Sequence, residues 1–281
     1  MDHFSKALEN AERQGHSVKD WVRPAPAKAE AKPGGAAQLQ LASRSVEFDF
    51  DHMRAHKILS GLGTDDPVIA DKYRLLRTQL LQKMRAQGWS RLAVTSVHPK
   101  AGKTMNSINL AISIARDGNQ RVVLMDVDLR KPSIGEELGL EGEYGLIDYL
   151  SGDAEMSDVA VVSEEIPNLT IVPGRRLAPD EIFPERLSSG RMLEFLNMIS
   201  TGNEPTIVLA DLPPLFVGDD VILLGENMDC VLLVVEEGVT EIEDLKKAGE
   251  MLQPFNLIGS VLNKSAEKRK EFSGYYHTGS K

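Results

Sequence analysis

The sequence is short of cysteine, of positive charge and of long apolar runs, and each shortage excludes something. Cys230 is the single cysteine, so no internal disulfide can form. It sits in the apolar run Asp229-Cys230-Val231-Leu232-Leu233-Val234-Val235 and reads as a buried strand residue rather than a reactive thiol. Lysine and arginine number 32 against 42 aspartates and glutamates, a formal charge of −10. A duplex binder needs a basic face, so no nucleic-acid partner is expected. No apolar stretch approaches the roughly 18 residues that a membrane span requires. The first residues mix acidic and polar side chains without the apolar centre of a signal peptide. The expectation is therefore a cytoplasmic protein. Its 281 residues, 42% of them hydrophobic, suffice for one large α/β domain with extensions.

Four stretches differ in character. Residues 1–22 can form a short helix with Phe4, Leu8 and Ala11 on one side. Residues 23–65 open with Arg23-Pro24-Ala25-Pro26-Ala27-Lys28 and Lys32-Pro33-Gly34-Gly35 and read as a flexible linker. Residues 66–263 are predicted to be the folded domain, and 264–281 a mobile tail. At the start of the domain Asp66 can cap a helix that opens on Pro67. Ile69, Tyr73, Leu76, Leu80 and Met84 then recur at spacings of three and four until Gly88 stops the helix. Strands are predicted at Arg91–Ser96, Arg121–Asp126, Leu169–Val172, Thr206–Asp211, Asp229–Val235 and Leu257–Leu262. Helices are predicted at Lys103–Asp117, Glu185–Ile199 and Glu241–Gln253. Strands this apolar need cover on both faces. The fold class is therefore α/β, a doubly wound, mostly parallel sheet flanked by helices, Rossmann-like in layout. No internal repeat is present.

Ser96-Val97-His98-Pro99-Lys100-Ala101-Gly102-Lys103-Thr104 leaves a strand and enters a helix, the context a phosphate loop requires. The backbone N–H groups of residues 100–104 and the helix dipole offer a cradle for phosphate oxygens. Gly102 permits close approach, Lys103 can reach the β- and γ-phosphates of ATP, and the Thr104 hydroxyl can ligate Mg²⁺. Val97 stands where the full pattern would have its first glycine. Two strands end in carboxylates, Asp126 with Asp128 on one and Asp211 on the other. Ligands of open α/β sheets sit outside such strand ends. An aspartate that follows four apolar residues must be hydrated or paired, and Mg²⁺ would supply the pairing. A turn-capping role would account for either strand singly, and less well for both. Asp126 or Asp128 can also accept a proton from an attacking hydroxyl.

From about Pro67 to Asn263 the chain resembles the bacterial tyrosine kinases (BY-kinases) associated with capsule and exopolysaccharide synthesis, P-loop NTPases by fold. It is most like the cytoplasmic autokinase type without a fused membrane segment. The similarity rests on several segments. They are Pro99-x-x-Gly102-Lys103-Thr104 with Asn109-Leu110-Ala111, Val123 to Pro132 as second Walker motif, and Asp211-Leu212-Pro213-Pro214 as Walker B. Arg186 to Met192 and Gly259 to Lys264 add to it. The resemblance implies ATP and Mg²⁺ as cofactors. It implies nucleotide contacts from Pro99, Lys100, Ala101, Gly102, Lys103, Thr104, Met105, Arg130 and Asn263, the last near the adenine. It implies metal binding by Thr104, Asp126 and Asp211, and catalysis by Lys103, Asp126 and Asp128. Asp71-x-x-Arg74-x-x-Arg77 resembles the family's oligomerisation motif, with Asp71 where glutamate is usual; by spacing alone it would be a solvated charged face. Lys100 and Ala101 replace a frequent Gly-Glu pair.

The family usually ends in a dense tyrosine cluster, and here Tyr275 and Tyr276 stand in its place. The resemblance implies that they are autophosphorylated, with tails exchanged between neighbours in a homo-oligomer. Phosphate there would add about −1.5 to −2 charges per tyrosine. It further implies a membrane-bound polysaccharide co-polymerase as activator, recruiting the chain to the inner face of the membrane. Two other readings stand beside a tyrosine autokinase. A partition- or septum-type ATPase would carry a signature lysine where this chain has His98. A non-catalytic adaptor would use ATP only to switch assembly.

Overall fold

A computed structural model describes residues 44–60, 65–140, 142–177, 184–200, 205–218 and 220–265. Strand β2 (Arg91–Ser96) lies inside the sheet and is buried from Leu92 onward. Beside it lie β6 (Thr206–Asp211) and β7 (Cys230–Glu236), and outside β6 lies β3 (Arg121–Asp126). With β1 (Arg44–Val46), β4 (Val161–Ser163), β5 (Leu169–Val172) and β8 (Leu257–Asn263) they form one eight-stranded sheet in the order β1-β4-β5-β3-β6-β2-β7-β8. Every neighbouring pair is parallel except β4 with β5. This is the doubly wound, mostly parallel sheet that the sequence predicts.

Successive side chains leave a strand on opposite faces, and the two cores follow that alternation. Leu92, Val94, Val122 and Leu124 point to one side. There they meet α1 (Phe50–Ala55), α2 (Pro67–Gln87) and α3 (Lys103–Arg116). Ala93, Val123, Met125, Val208 and Ala210 point to the other. That face is covered by α5 (Leu146–Ser151), α7 (Gly190–Ser200), α8 (Asp220–Gly225) and α9 (Ile242–Met251). Two short helices, α4 (Ile134–Glu137) and α6 (Met156–Val159), complete the set. Helix α2 begins where the sequence places it. The Asp66 carboxylate accepts the Val68 N–H at 2.8 Å, Pro67 takes the first position, and Gly88 closes the helix with φ of 68°.

The linker predicted over 23–65 does not hold for residues 44–60. β1 pairs with β4, Asp49 caps α1, and Phe48, Met53, Ile58 and Leu59 are buried in the core beside α3. Asn109 of α3 fastens the segment, accepting the Leu59 N–H at 2.7 Å and donating to the Lys57 carbonyl at 3.1 Å. The buried residues follow neither a helical nor a strand period, so no pattern marks them as a core segment. The helix predicted over Glu185–Ile199 is two elements, a 3₁₀ turn at Pro184–Ser188 and α7 from Gly190. Ser189 alone separates them, between Ser188 and Gly190, and serine and glycine favour turns over helix interiors. The expected helix in 1–22 and tyrosines Tyr275 and Tyr276 lie outside the described residues.

Candidate active site

The parallel register sets the site. Asp126 and Asp211 pair as the last residues of β3 and β6, so two carboxylates lie side by side at the carboxyl end of the sheet. β2 ends beside them, and the chain turns through Val97–Gly102 before α3 begins at Lys103. Gly102 has φ of 89°, and a side chain there would overlap the amide of Asn263, so this turn needs glycine. Lys100 takes a left-handed φ of 65° without being glycine, a conformation that costs about 1–3 kcal/mol. Two consecutive residues at the end of β8 hold it. Asn263 Nδ2 donates to the Ala101 carbonyl at 2.8 Å, and Lys264 Nζ donates to the Lys100 carbonyl at 2.7 Å. Glu236 Oε1 anchors Lys264 from the other side at 2.8 Å.

Lys103 is buried between two carboxylates, with Nζ 3.0 Å from Asp128 Oδ2 and 3.2 Å from Asp211 Oδ2. Burial works against its charge, yet Asp211, Asp128 and Asp126 outweigh burial and hold its pKa above the ordinary lysine value. Thr104 donates to Asp211 Oδ2 at 2.7 Å, and Ser107 donates to Asp211 Oδ1 at 2.9 Å. Ser133 Oγ lies 3.0 Å from the Thr104 hydroxyl. Asp128 is engaged at both oxygens, the other one accepting the Lys131 N–H at 3.0 Å.

Asp126 differs from its neighbours. Its Oδ2 accepts the N–H groups of Ser133 and Ile134, at 2.7 and 2.9 Å. Its Oδ1 is buried and has no partner. Burial first, then the charge of Asp211 beside it, pushes the carboxyl up to about 7; the two N–H donors and Lys103 pull the other way and lose. Gly174 follows β5 and leaves room there, since a Cβ at that position would sit 3.2 Å from Asp126 Cγ.

The structure thus gathers Gly102, Lys103, Thr104, Asp126, Asp128 and Asp211 in one place. Pro99 and Lys100 are exposed on the loop, Ala101 is buried beneath it, Met105 is half-buried on the first turn of α3, and Arg130 is exposed just beyond Asp128. Asn263 sits against the loop's backbone. Asp71 and Arg74 take no part in this cluster. They pair with each other at 3.0 Å, both about two-thirds exposed, whereas Arg77 turns inward to the Ser113 carbonyl at 2.9 Å and to Asp117 at 3.1 Å. Sequence reasoning missed Ser107, Ser133, Gly174 and Lys264. Ser107 was accessible, one helical turn beyond Lys103; Ser133 follows the Val123–Pro132 segment and Lys264 follows Asn263, each next to residues already singled out, whereas Gly174 reaches the site through the tertiary fold alone.

Several known proteins are similar to this chain. No protein-family model matches it. It is 31% identical over 212 residues to the tyrosine-protein kinase YwqD of Bacillus subtilis, covering 74% of this chain and 86% of that one. It is 31% identical over 189 residues to the tyrosine-protein kinase Wzc of Salmonella typhimurium, and there it spans only 25% of the relative's length. Relatives named EpsB, from Ralstonia, are likewise matched over 28% of their length or less. Among solved structures, the kinase domain of the Escherichia coli tyrosine kinase ETK superposes with a TM-score of 0.66 at 24% identity, covering 83% of this chain and 94% of that one. The septum site-determining protein MinD of Pyrococcus horikoshii, solved with Mg-ADP, gives a TM-score of 0.53 at 21% identity over 63% of this chain and 71% of its own. These two superpositions establish a shared fold.

Proposed function

The chain belongs to the family of bacterial tyrosine-protein kinases, and from that premise we propose that its phosphate loop transfers the γ-phosphoryl group of ATP to tyrosine. The observation that carries this is the set of three carboxylates and one lysine at the loop's mouth, with one acidic oxygen left unpartnered. The residues present fit a magnesium nucleotide. Among the described residues no group of three His, Cys, Asp or Glu side chains could by itself hold a metal, but Mg²⁺ takes few protein ligands and fills its shell with phosphate and water oxygens. The Thr104 hydroxyl and Asp211 would hold it, with Asp126 beside them. Bound there, the ion would neutralise charge on the phosphates.

The protein's own groups divide the remaining work. Backbone N–H groups of residues 100–104 receive phosphate oxygens, as helix N-termini do. Lys103, kept charged by its carboxylates, stabilises the charge that develops on the transferred group. Asp128 orients Lys103. Asp126 accepts the phenol proton through Oδ1. That role falls to Asp126 because its Oδ1 has no partner, whereas both oxygens of Asp128 are already engaged, one by Lys103 and one by the Lys131 N–H. As the tyrosine oxygen bonds to phosphorus, the bond to the ADP oxygen breaks.

Tyr275 and Tyr276 are the proposed acceptors, presented by a neighbouring copy. Asp71 and Arg74 are the proposed contact residues, with exposed Leu75 beside them and Arg77 serving as an internal brace. Among the described residues no helix is long and apolar enough to cross a membrane. A membrane-bound polysaccharide co-polymerase is the proposed activator that recruits the chain, and polysaccharide synthesis or export the proposed process served. The partition-type reading is weaker, because His98 occupies its lysine position and is tied to Asp244 at 3.0 Å. Incubation with Mg·ATP and phosphosite mapping by mass spectrometry tests the proposal. Phosphate on Tyr275 or Tyr276, lost in Lys103→Ala, is expected. ATP hydrolysis without phosphotyrosine would overturn it in favour of a P-loop switch.

A further inference from the structure

Beside the phosphate loop lies an apolar surface that the chemistry above does not use. Phe216 and Val217 come after β6, and Val239 and Ile242 after β7; all four are between 39% and 56% exposed. His98 links the two segments that carry them. The Phe216 ring meets the His98 ring edge-on at 5.5 Å, and His98 bonds Asp244 in the segment that carries Val239 and Ile242. The same segment is strongly acidic. Glu236–Asp244 holds five carboxylates, at 236, 237, 241, 243 and 244, of which Glu236 is paired with Lys264 and Asp244 with Lys247. Glu241 and Glu243 are exposed on either side of Ile242.

The chain leaves the described residues at this spot. Lys264 Nζ is bonded to Glu236, and the Glu237 N–H donates to the Asn263 carbonyl at 3.0 Å. The segment beyond Ser265 is the chemical complement of the surface. Residues 266–281 carry Lys268, Arg269, Lys270 and Lys281 against Glu267 and Glu271, a formal +2, with Phe272, Tyr275 and Tyr276 as aromatic anchors. Sixteen residues reach about 50 Å when extended, so distance does not limit contact. Exposed apolar side chains rimmed by charge mark interaction surfaces, and opposite charge sets partner and orientation.

We propose that this surface is the docking site for the chain's own segment 266–281, with Phe272 or a tail tyrosine against Phe216, Val239 and Ile242 and the Lys268–Lys270 run against Glu241 and Glu243. Docking holds the tyrosines beside the phosphate loop but away from Asp126. Phosphate on the tail weakens docking, because added negative charge meets an acidic surface.

The proposal is independent of kinase activity and is tested without ATP. Trypsin cleavage at Lys268–Lys270 is followed by mass spectrometry on the full chain, on Glu241→Lys/Glu243→Lys and on Val239→Ser/Ile242→Ser. Melting curves verify that each variant is folded. Cleavage at least fivefold slower in the unmodified chain than in either variant is expected. The protection should also fall at high salt. Equal cleavage in all three proteins would overturn the proposal. So would protection that survives both variants, and so would variants that change oligomer size while leaving tail cleavage unaltered, which would assign the surface to a contact between copies.

Discussion

Two buried carboxylate sites in this protein are built to opposite ends. Asp148, in α5, is satisfied throughout. It accepts the Gly145 N–H at 2.8 Å and the single Arg175 Nε–H, shared between its two oxygens at 3.0 Å, with Arg175 Nη2 at 2.9 Å. Asp126 has two backbone donors on one oxygen and nothing on the other, and Asp211 stands opposite it in the register. The first arrangement closes a helix N-terminus. The second keeps a buried acidic oxygen without a protein partner, which lowers stability and suits chemistry. Burial of a charge therefore says little until its partners are counted.

The contrast between the two sites predicts which substitutions harm function and which harm folding. The largest effect should be Asp126→Asn on phosphoryl transfer, a fall of about 10²–10⁴-fold, the usual range for removal of a general base; single-turnover phosphotyrosine formation would measure it. Asp148→Ala should instead destabilise the fold. It strands the Gly145 N–H and Arg175, and because Arg175 is about a third exposed the cost is about 2 kcal/mol rather than the full penalty of a broken buried pair. Urea denaturation would show it, and folded protein should retain far more activity than Asp126→Asn does.

Asp126→Asn should also gain stability in a pH-dependent way. The folded pKa is raised to about 7 from the ordinary value of 3.8. The stability linked to its proton is therefore complete below about pH 4 and lost as pH rises through about 7. Asparagine keeps an acceptor for Ser133 and Ile134 without the buried charge. In EDTA the variant's advantage in Tm should grow between pH 5 and pH 8 to a few degrees; an advantage constant with pH would contradict the assignment. The smallest expected effect is that of Lys264→Ala. It frees the Lys100 carbonyl, and nucleotide affinity should fall about 3–10-fold, the worth of one modest hydrogen bond to the loop. Titration with a fluorescent ATP analogue would measure it.

Much of this was legible in the sequence where local pattern and chemistry coincide. The apolar strands ending in Asp126 and Asp211, the turn into Lys103-Thr104, and the capped start of α2 at Asp66-Pro67 all declare themselves by residue type and spacing. The register that sets Asp126 against Asp211 does not, since strand order is a property of crossovers. Phe48, Met53, Ile58 and Leu59 read as linker because a segment lying along a helix shows no period of its own. Lys264 and Gly174 act on the site from just beyond β8 and β5, far along the chain. Arg77 looks like part of an exposed charged row until the fold turns it towards Asp117.

The unpaired Oδ1 of Asp126 is the centre of the proposed mechanism, and one paired measurement bears on it most directly. Mg·ATP binding and phosphotyrosine formation would be measured side by side for the unmodified chain and for Asp126→Asn. The mechanism predicts nucleotide affinity within about tenfold of the unmodified chain and transfer reduced by at least two orders of magnitude. Transfer near the unmodified rate would show that the proton goes elsewhere and would contradict the role given to Asp126.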